Sequence, residues 1–341
     1  MDELLSAEQR QLRDSAGKLC ADRGGAKRAR ALRDAGRDFD VEAWQAVRDA
    51  GWLGMLVPED RGGLGLGAVE LYIVLEQAGR QVLMTPHLET IAAGWLLAAT
   101  QASSPVLPPL LAGERIVVPA LDADGWAFRR AGTMRVPAFA SSADDFVIET
   151  GQGLGLLPNR HDAVTTNVDG SHAGTLLATE RATIIARDNE ARALAAKLGD
   201  LLALGSAIEL LGLCESAMTL ALEHVKTRRQ FGQPLGSFQA LQHRLADNFV
   251  DLELNRSLLH RICLAWDAGT AVPAMIAAAK ARAVRVAAEV MRNALQLHGA
   301  IGYTDEHDIG TLWKHALALS ARYGNELTQA ARFARLTAEE T

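Results

Sequence analysis

Most of the chain carries apolar residues at the three- and four-residue spacing that is typical of amphipathic helices. Ser6 and Gln9 match the capping-box pattern that precedes a helix. Asp40 is a typical N-cap residue for a second helix, which Gly51 is expected to stop. After a glycine-rich connection, helical periodicity returns in AVELYIVLEQAGRQ and in ETIAAGWLLAATQ. The pattern therefore predicts a helical domain over residues 1–112.

A different pattern occupies residues 113–189, where Gly, Pro, Thr and Val become more frequent. Short runs such as RIVVPAL, DDFVIET and ATIIA have the β-branched character of strands, which predicts a compact β domain. Residues 190–341 are again helical by pattern, and AMIAAAKARAVRVAAEVMRNALQLHG combines high helix propensity with one apolar face. The fold class is therefore mainly α with a small β domain, and its last part is a packed helical bundle.

The composition indicates a globular protein with room for two or three domains, since 49% of the 341 residues are hydrophobic. The net charge of −6 argues against nucleic acid as the main partner. Cys20, Cys214 and Cys263 are odd in number and lack metal-site spacing, so neither a disulfide framework nor a metal centre is expected. The sequence shows no secretory pattern and no uncharged apolar run long enough to span a bilayer. We therefore expect a cytoplasmic protein without a membrane span.

Two helices are predicted to meet at a basic corner near residue 228. A cluster of glycine and proline residues interrupts the helical rhythm there before the next periodic segment begins. Arg228 and Arg229 fall at the end of the first helix, where cations complement the negative end of the helix dipole. On spacing alone, this complementarity is a sufficient explanation of the pair.

The string RRQFGQPLGSFQALQHRLAD, residues 228–247, closely resembles the signature of the acyl-CoA dehydrogenase family. The resemblance covers essentially the whole chain and implies an N-terminal helical domain (1–112), a central β domain (113–189) and a C-terminal four-helix bundle (190–341). In the family, the residues that match Arg228, Gln230 and Phe231 reach across a subunit interface to the adenosine diphosphate half of an FAD bound mainly by a neighbour. A guanidinium suits this role because it forms charge-assisted hydrogen bonds to a diphosphate.

A second motif, QLHGAIGYTDEHDIGTLWKHA, begins at Gln296 and resembles the Q-x-x-G-G-x-G-Y segment of the same family. The resemblance implies that Gln296 and Gly299 also contact the FAD diphosphate, since glycine permits close backbone approach. A helix C-cap at Gly299 explains the same glycine, and both readings can hold together. His298 and His307 are expected to be local hydrogen-bonding residues and not metal ligands.

The sequence departs from the family pattern at the flavin ring and at the catalytic base. Neither a T-E-P-x-x-G-S-D-like segment nor a W-I-T/S strand, which hold the ring in typical members, is present in residues 112–189. A gapless count places Tyr323 where most members have the Glu that removes the α-proton, and a phenol is a poor base at neutral pH. Asp200 and Glu326 lie near the two positions that family bases occupy and are the carboxylate candidates.

This combination resembles the non-catalytic partner of heteromeric (α2β2) bacterial acyl-CoA dehydrogenases, assemblies that act in steroid side-chain breakdown. The resemblance implies a subunit that completes the FAD site of a paralogous subunit, with an acyl-CoA substrate and an electron acceptor as further partners. The reaction would be FAD-dependent α,β-desaturation of an acyl-CoA thioester. One alternative is a self-sufficient homotetrameric dehydrogenase with a displaced base, and another is a flavin-free structural scaffold.

Overall fold

The computed structural model describes residues 5–100, 104–120, 133–159, 163–177 and 181–338. The N-terminal part consists of helices α1 (Ala7–Arg23), α2 (Ala26–Asp34), α3 (Val41–Asp49), α4 (Ala68–Arg80), α5 (His87–Ala99) and α6 (Leu107–Leu111). The predicted caps are confirmed: the Ser6 side chain accepts from the Gln9 backbone in a capping box, and Asp40 accepts from the backbone at the start of α3. Gly51 follows α3 with φ of 74°, a conformation that glycine adopts without a steric cost.

The described residues of the middle part form seven strands: β1 (Val117–Ala120), β2 (Thr133–Val136), β3 (Asp145–Thr150), β4 (Gly153–Pro158), β5 (Ala163–Thr166), β6 (His172–Leu177) and β7 (Thr183–Ala186). They form a four-stranded sheet in the order β1-β3-β4-β7 and a three-stranded sheet in the order β2-β6-β5. β1 pairs with β3 in parallel, with Val117 opposite Asp145, whereas β3 and β4 form an antiparallel hairpin. The β-branched runs therefore correctly predicted β1, β3 and β7. The segment 121–132, which follows β1, lies outside the described residues.

The C-terminal part is helical apart from a short hairpin. It contains α7 (Asp188–Thr227), β8 (Arg229–Gln230), β9 (Gln233–Pro234), α8 (Gln239–Asp267), α9 (Pro273–His298), α10 (Asp308–Ala321) and α11 (Glu326–Ala338). α7 is long and apolar enough to cross a membrane by length and composition, but 89% of its most apolar window is buried inside the protein. Such burial identifies α7 as the core helix of the bundle, packed between α4, α9 and α10.

Two glycines set the distance between α4 and α7. A Cβ on Gly79 would overlap the Glu209 carbonyl oxygen, and a Cβ on Gly212 would overlap the Glu76 carbonyl oxygen. The two helix backbones are therefore in direct contact, a spacing that no larger residue permits at these positions. This contact places the charged side chains of α7 against the N-terminal helices.

Candidate functional site

The basic corner, made of Arg228, Gln230, Phe231, Gln296 and Gly299, lies on the surface where α7 and α9 end. The β8–β9 hairpin turns at Phe231 and Gly232, both with positive φ (54° and 82°). A two-residue turn with this geometry normally favours Asn-Gly, so an aromatic residue at its first position is strained. Phe231 is nevertheless 88% exposed, and its ring lies edge-on to that of Phe238, with 6.1 Å between the ring centroids. The hairpin therefore holds an aromatic side chain out from the surface.

The α9 side of the corner provides an open approach to the backbone. Gly299 is the C-cap of α9 with φ of 67°, which confirms the predicted cap. Apart from its neighbours in the chain and the nearby helix backbone, no described atom lies within 4 Å of the position that a Cβ on Gly299 would occupy. Gln296 is exposed one turn earlier. The arrangement leaves room for a ligand against this helix end.

Histidine rings connect the two halves of the corner. His224, one turn before Arg228, lies against His298, with 4.5 Å between ring centroids. His298 precedes Gly299, so this contact brings together motifs that lie about 70 residues apart in the chain. An exposed guanidinium, exposed amides and an open glycine fit the diphosphate of FAD, as the resemblance implies.

The two histidines of the second motif form local hydrogen bonds, as predicted. His298 Nδ1 lies 2.8 Å from the Ala294 carbonyl oxygen, and His307 Nδ1 accepts from the Ile309 backbone at 3.2 Å. The described part of the chain holds no group of three or more His, Cys, Asp or Glu side chains arranged for a metal ion.

Tyr323, at the predicted base position, is buried and bonded to a carboxylate from a distant helix. Its phenol donates a 2.7 Å hydrogen bond to Glu89 Oε1 of α5, and only 4% of the residue is exposed. Burial, together with the Glu89 carboxylate, raises the pKa of Tyr323 well above its ordinary value. Burial also raises the pKa of Glu89. The Tyr323 phenol is therefore not suited to accept a proton from a substrate carbon at neutral pH.

Charged pairs surround this hydrogen bond in what we call the buried cluster, formed by His87, Glu89, Asp169, Glu209, His315, Arg322 and Tyr323. Arg322 donates to Asp169 at 2.9 Å, and His315 lies 3.1 Å from the same carboxylate. These two partners hold the pKa of Asp169 far below its ordinary value although burial opposes ionisation. On the other side, His87 Nε2 lies 2.9 Å from Glu209 Oε1. The cluster thus balances buried charges from both helical parts and from the β5–β6 connection.

The two carboxylate candidates lie in different surroundings. Asp200 is buried and accepts a 2.6 Å hydrogen bond from Arg332 of α11. The Glu326 side chain is 43% exposed and lies 3.4 Å from Arg285 on the surface. The structure therefore places one candidate in a core ion pair and the other at the start of α11.

The sequence analysis missed the carboxylates that the fold brings to Tyr323. Glu89 interrupts the apolar helix HLETIAAGWLLAA, and Glu209 interrupts the apolar run of α7. An ionisable residue on a helix that is apolar on every face must find a buried partner, because an isolated buried charge is costly. A carboxylate within an apolar helix therefore predicts a buried partner, but the helix sequence does not identify which residue that partner is.

Family models match both helical parts of the chain. The model described as acyl-CoA dehydrogenase, N-terminal domain, matches residues 6–114, and the model described as acyl-CoA dehydrogenase, C-terminal domain, matches residues 200–336. Two similar proteins from Mycobacterium tuberculosis are acyl-CoA dehydrogenase IpdE2 and acyl-CoA dehydrogenase FadE27. IpdE2 is 29% identical, with 91% of each chain covered, and FadE27 is 29% identical, with 88% of this chain and 89% of the relative covered.

Solved structures share the whole fold. The ChsE4–ChsE5 complex from Mycobacterium tuberculosis contains a chain that is 25% identical, with 99% of both chains covered and a TM-score of 0.87. A chain of the Tcur3481–Tcur3483 steroid ACAD is 26% identical, with 98% of both chains covered and a TM-score of 0.86. Butyryl-CoA dehydrogenase from Megasphaera elsdenii, at 19% identity and a TM-score of 0.84, with 99% of this chain and 100% of that chain covered, has the same fold. The chain therefore belongs to the acyl-CoA dehydrogenase family, flavoprotein oxidoreductases that act on acyl-CoA thioesters.

Proposed function

We propose that this chain is the non-catalytic partner in a heteromeric acyl-CoA dehydrogenase and completes the FAD site of a paralogous catalytic subunit. The observation that carries the proposal is the buried hydrogen bond between Tyr323 and Glu89 at the predicted base position. A catalytic base must reach the proton that it removes and must be unprotonated near the working pH. A buried phenol that already donates to a carboxylate meets neither requirement.

The basic corner supports the other half of the proposal. FAD, when bound in the complex, supplies the hydride acceptor for desaturation. Arg228, Gln230 and Gln296 would bind the diphosphate, Phe231 would cover the adenosine half, and Gly299 would allow close approach. The flavin ring would be held by the paralogous subunit, because the ring-binding motifs of the family are missing from this sequence.

Exposed apolar side chains next to the Gln296 motif and along α8 favour a protein partner. Tyr303 is 73% exposed and Ile301 is half exposed, both next to the Gln296 motif. On α8, Phe249, Val250 and Leu254 are also exposed. A surface with this many large apolar groups is typical of an interface with another chain. The ChsE4–ChsE5 complex, which contains a chain of the same fold, is an example of such an assembly of two different chains.

One of the similar structures supports a proposal for the substrate class. The Tcur3481–Tcur3483 protein is described as a steroid ACAD, so we propose an acyl-CoA with a bulky ring system as the substrate of the complex. Its α-proton would be removed by a carboxylate of the catalytic subunit, and the reduced flavin would pass electrons to a separate acceptor.

The test compares this chain expressed alone with the chain co-expressed with a paralogous subunit that carries the intact base and flavin motifs. We expect the chain alone to be nearly colourless and inactive, and the complex to contain flavin and desaturate acyl-CoA. Stoichiometric flavin with turnover in the purified homomer would instead establish the self-sufficient dehydrogenase. A complex that forms without flavin would establish the structural scaffold.

A further inference from the structure

Three imidazole rings form a column beside the basic corner. The centroids of His224 and His298 are 4.5 Å apart, and those of His298 and His307 are 4.6 Å apart. The first ring comes from the last turn of α7, the second from the last residue of α9, and the third from the N-cap of α10. The histidine column, His224–His298–His307, therefore joins the elements that carry Arg228 and Gly299.

Burial and neighbouring positive charges lower the pKa of the two partly exposed rings, His224 and His307. Burial lowers the pKa of His224, and His298, His307 and Arg228 lower it further. Burial and His298 also lower the pKa of His307, with Arg30 of α2 adding to this effect and Asp308 opposing it. A negative ligand on Arg228 would neutralise one of the charges that disfavour a cation at His224.

Of His224 and His307, the two partly exposed rings of the column, His224 is the more favourable place for a proton. His307 uses Nδ1 to accept from the Ile309 backbone, so full protonation of its ring would remove the cap of α10. Among the described residues, the His224 ring caps no helix. It lies at the C-terminal end of α7, where the helix dipole favours a cation.

We propose that His224 is a further part of the diphosphate site and takes up a proton from solvent when the FAD diphosphate binds at Arg228. The inference rests on the proposed function, because it requires FAD at the basic corner. The consequence is thermodynamic: a site that gains a proton on binding must bind more tightly as the pH falls. An imidazolium at His224 would place a second cation next to Arg228.

The test is calorimetric titration of FAD into the cofactor-stripped complex in two buffers that differ in ionisation enthalpy. The diphosphate of FAD is a diester that does not titrate near neutral pH, so buffer-dependent heat reports protein protons. We expect net proton uptake, at most one proton per site, within the imidazole range, and an affinity that rises by up to about tenfold per pH unit on acidification through that range.

Two substitutions locate the proton. His224→Phe keeps an aromatic ring against His298 but cannot be protonated, so it should abolish the uptake and flatten the pH dependence of FAD affinity. His307→Asn keeps a side-chain acceptor for the cap of α10 and should leave the uptake unchanged. Thermal melting of each complex checks folding, and His224→Gln provides a second non-titrating variant.

FAD binding with no proton uptake, or with uptake that survives in both His224 variants, would overturn the inference and leave the proposed function intact. A complex that binds no FAD at any pH would overturn both. If His307→Asn alone abolished the proton uptake, the proton would belong to His307, and the proposed role of His224 would be refuted.

Discussion

The Tyr323 phenol and the Glu89 carboxylate share a 2.7 Å hydrogen bond although 234 positions separate them in the chain. Tyr323 holds a positive φ of 55°, which is strained for an aromatic residue, and Gly324 follows with φ of 88°. The loop between α10 and α11 is therefore shaped to turn the phenol inward. Gln329 supports this turn by donating to the Tyr323 carbonyl oxygen at 2.7 Å. The pair joins α5 to this loop at the position where the family resemblance expects a base.

Tyr323→Phe should destabilise the protein by about 1–3 kcal/mol, because it leaves the buried Glu89 carboxyl without its phenol donor. Urea denaturation at neutral pH measures the loss. The matched control is Tyr303→Phe, which removes the same hydroxyl from a residue that is 73% exposed and should change stability by less than about 0.5 kcal/mol. Equal losses in both variants would mean that the Glu89 contact contributes nothing specific.

Tyr323→Glu should not convert the isolated chain into a dehydrogenase. A positioned base contributes about 10²–10⁴-fold to rate, and only when flavin and thioester are already held in line. The new carboxyl would also lie beside Glu89, so like-charge repulsion would push the pKa of the pair upward. Acyl-CoA oxidation with an artificial electron acceptor is the assay. Robust turnover by this single variant would show that the remaining site had been complete.

Arg228→Ala in the complex should weaken FAD binding while leaving the fold intact, because the side chain is exposed at the end of α7. Charge-assisted hydrogen bonds of about 1.5–3 kcal/mol correspond to roughly a tenfold to hundredfold increase in the dissociation constant. Arg228→Lys should restore only part of the affinity, since an ammonium lacks the planar fork. FAD titration of the stripped complex measures both.

Arg229→Ala is the control for Arg228, since Arg229 lies on the same hairpin and donates to the Gly232 carbonyl oxygen at 3.2 Å. It should retain FAD to within about threefold, as expected when no direct contact to the ligand is lost. Thermal melts of all three variants check folding. An unchanged dissociation constant in Arg228→Ala would mean that this arginine serves only as a charge at the helix end.

Lys280→Met should change how stability depends on pH. Lys280 is completely buried and donates to Ser206 Oγ at 2.9 Å and to the Leu319 carbonyl oxygen at 3.0 Å. Burial lowers the pKa of Lys280 to about 7. Between this pH and the ordinary lysine pKa of about 10.4, the unfolded chain binds a proton that the folded chain does not. Wild-type stability should therefore rise relative to the Met variant by up to about 1.4 kcal/mol per pH unit in that range.

Urea denaturation of both proteins between about pH 7.5 and pH 9 measures this difference. The comparison cancels the opposing contribution of the buried cysteines, because burial raises the pKa of Cys20 and Cys214 to about 12 in both proteins. A difference that stays constant over the range would show that Lys280 remains charged in the folded state.

Local rules in the sequence were sufficient for the helices and for part of the sheet. Caps at Ser6, Asp40 and Gly299 are formed by residues within a few positions of the helix end, so short-range hydrogen bonding and backbone conformation decide them. β1, β3 and β7 were recognisable from their β-branched residues. β4, with the sequence GLGLLP, lacks such residues, and its pairing with β3 and β7 overrides weak local preference.

The sequence by itself determined the family, the helical character and the surface motifs at Arg228 and Gln296, because each of these depends on residues that are close together in the chain. Only the tertiary structure decided what surrounds Tyr323. Glu89 and Asp169 come from distant segments, and no local pattern specifies which buried charge will meet which partner. The physical reason is that a buried ionisable group is stable only when a complementary group offsets its lost hydration, and the packing of whole helices and strands selects that group.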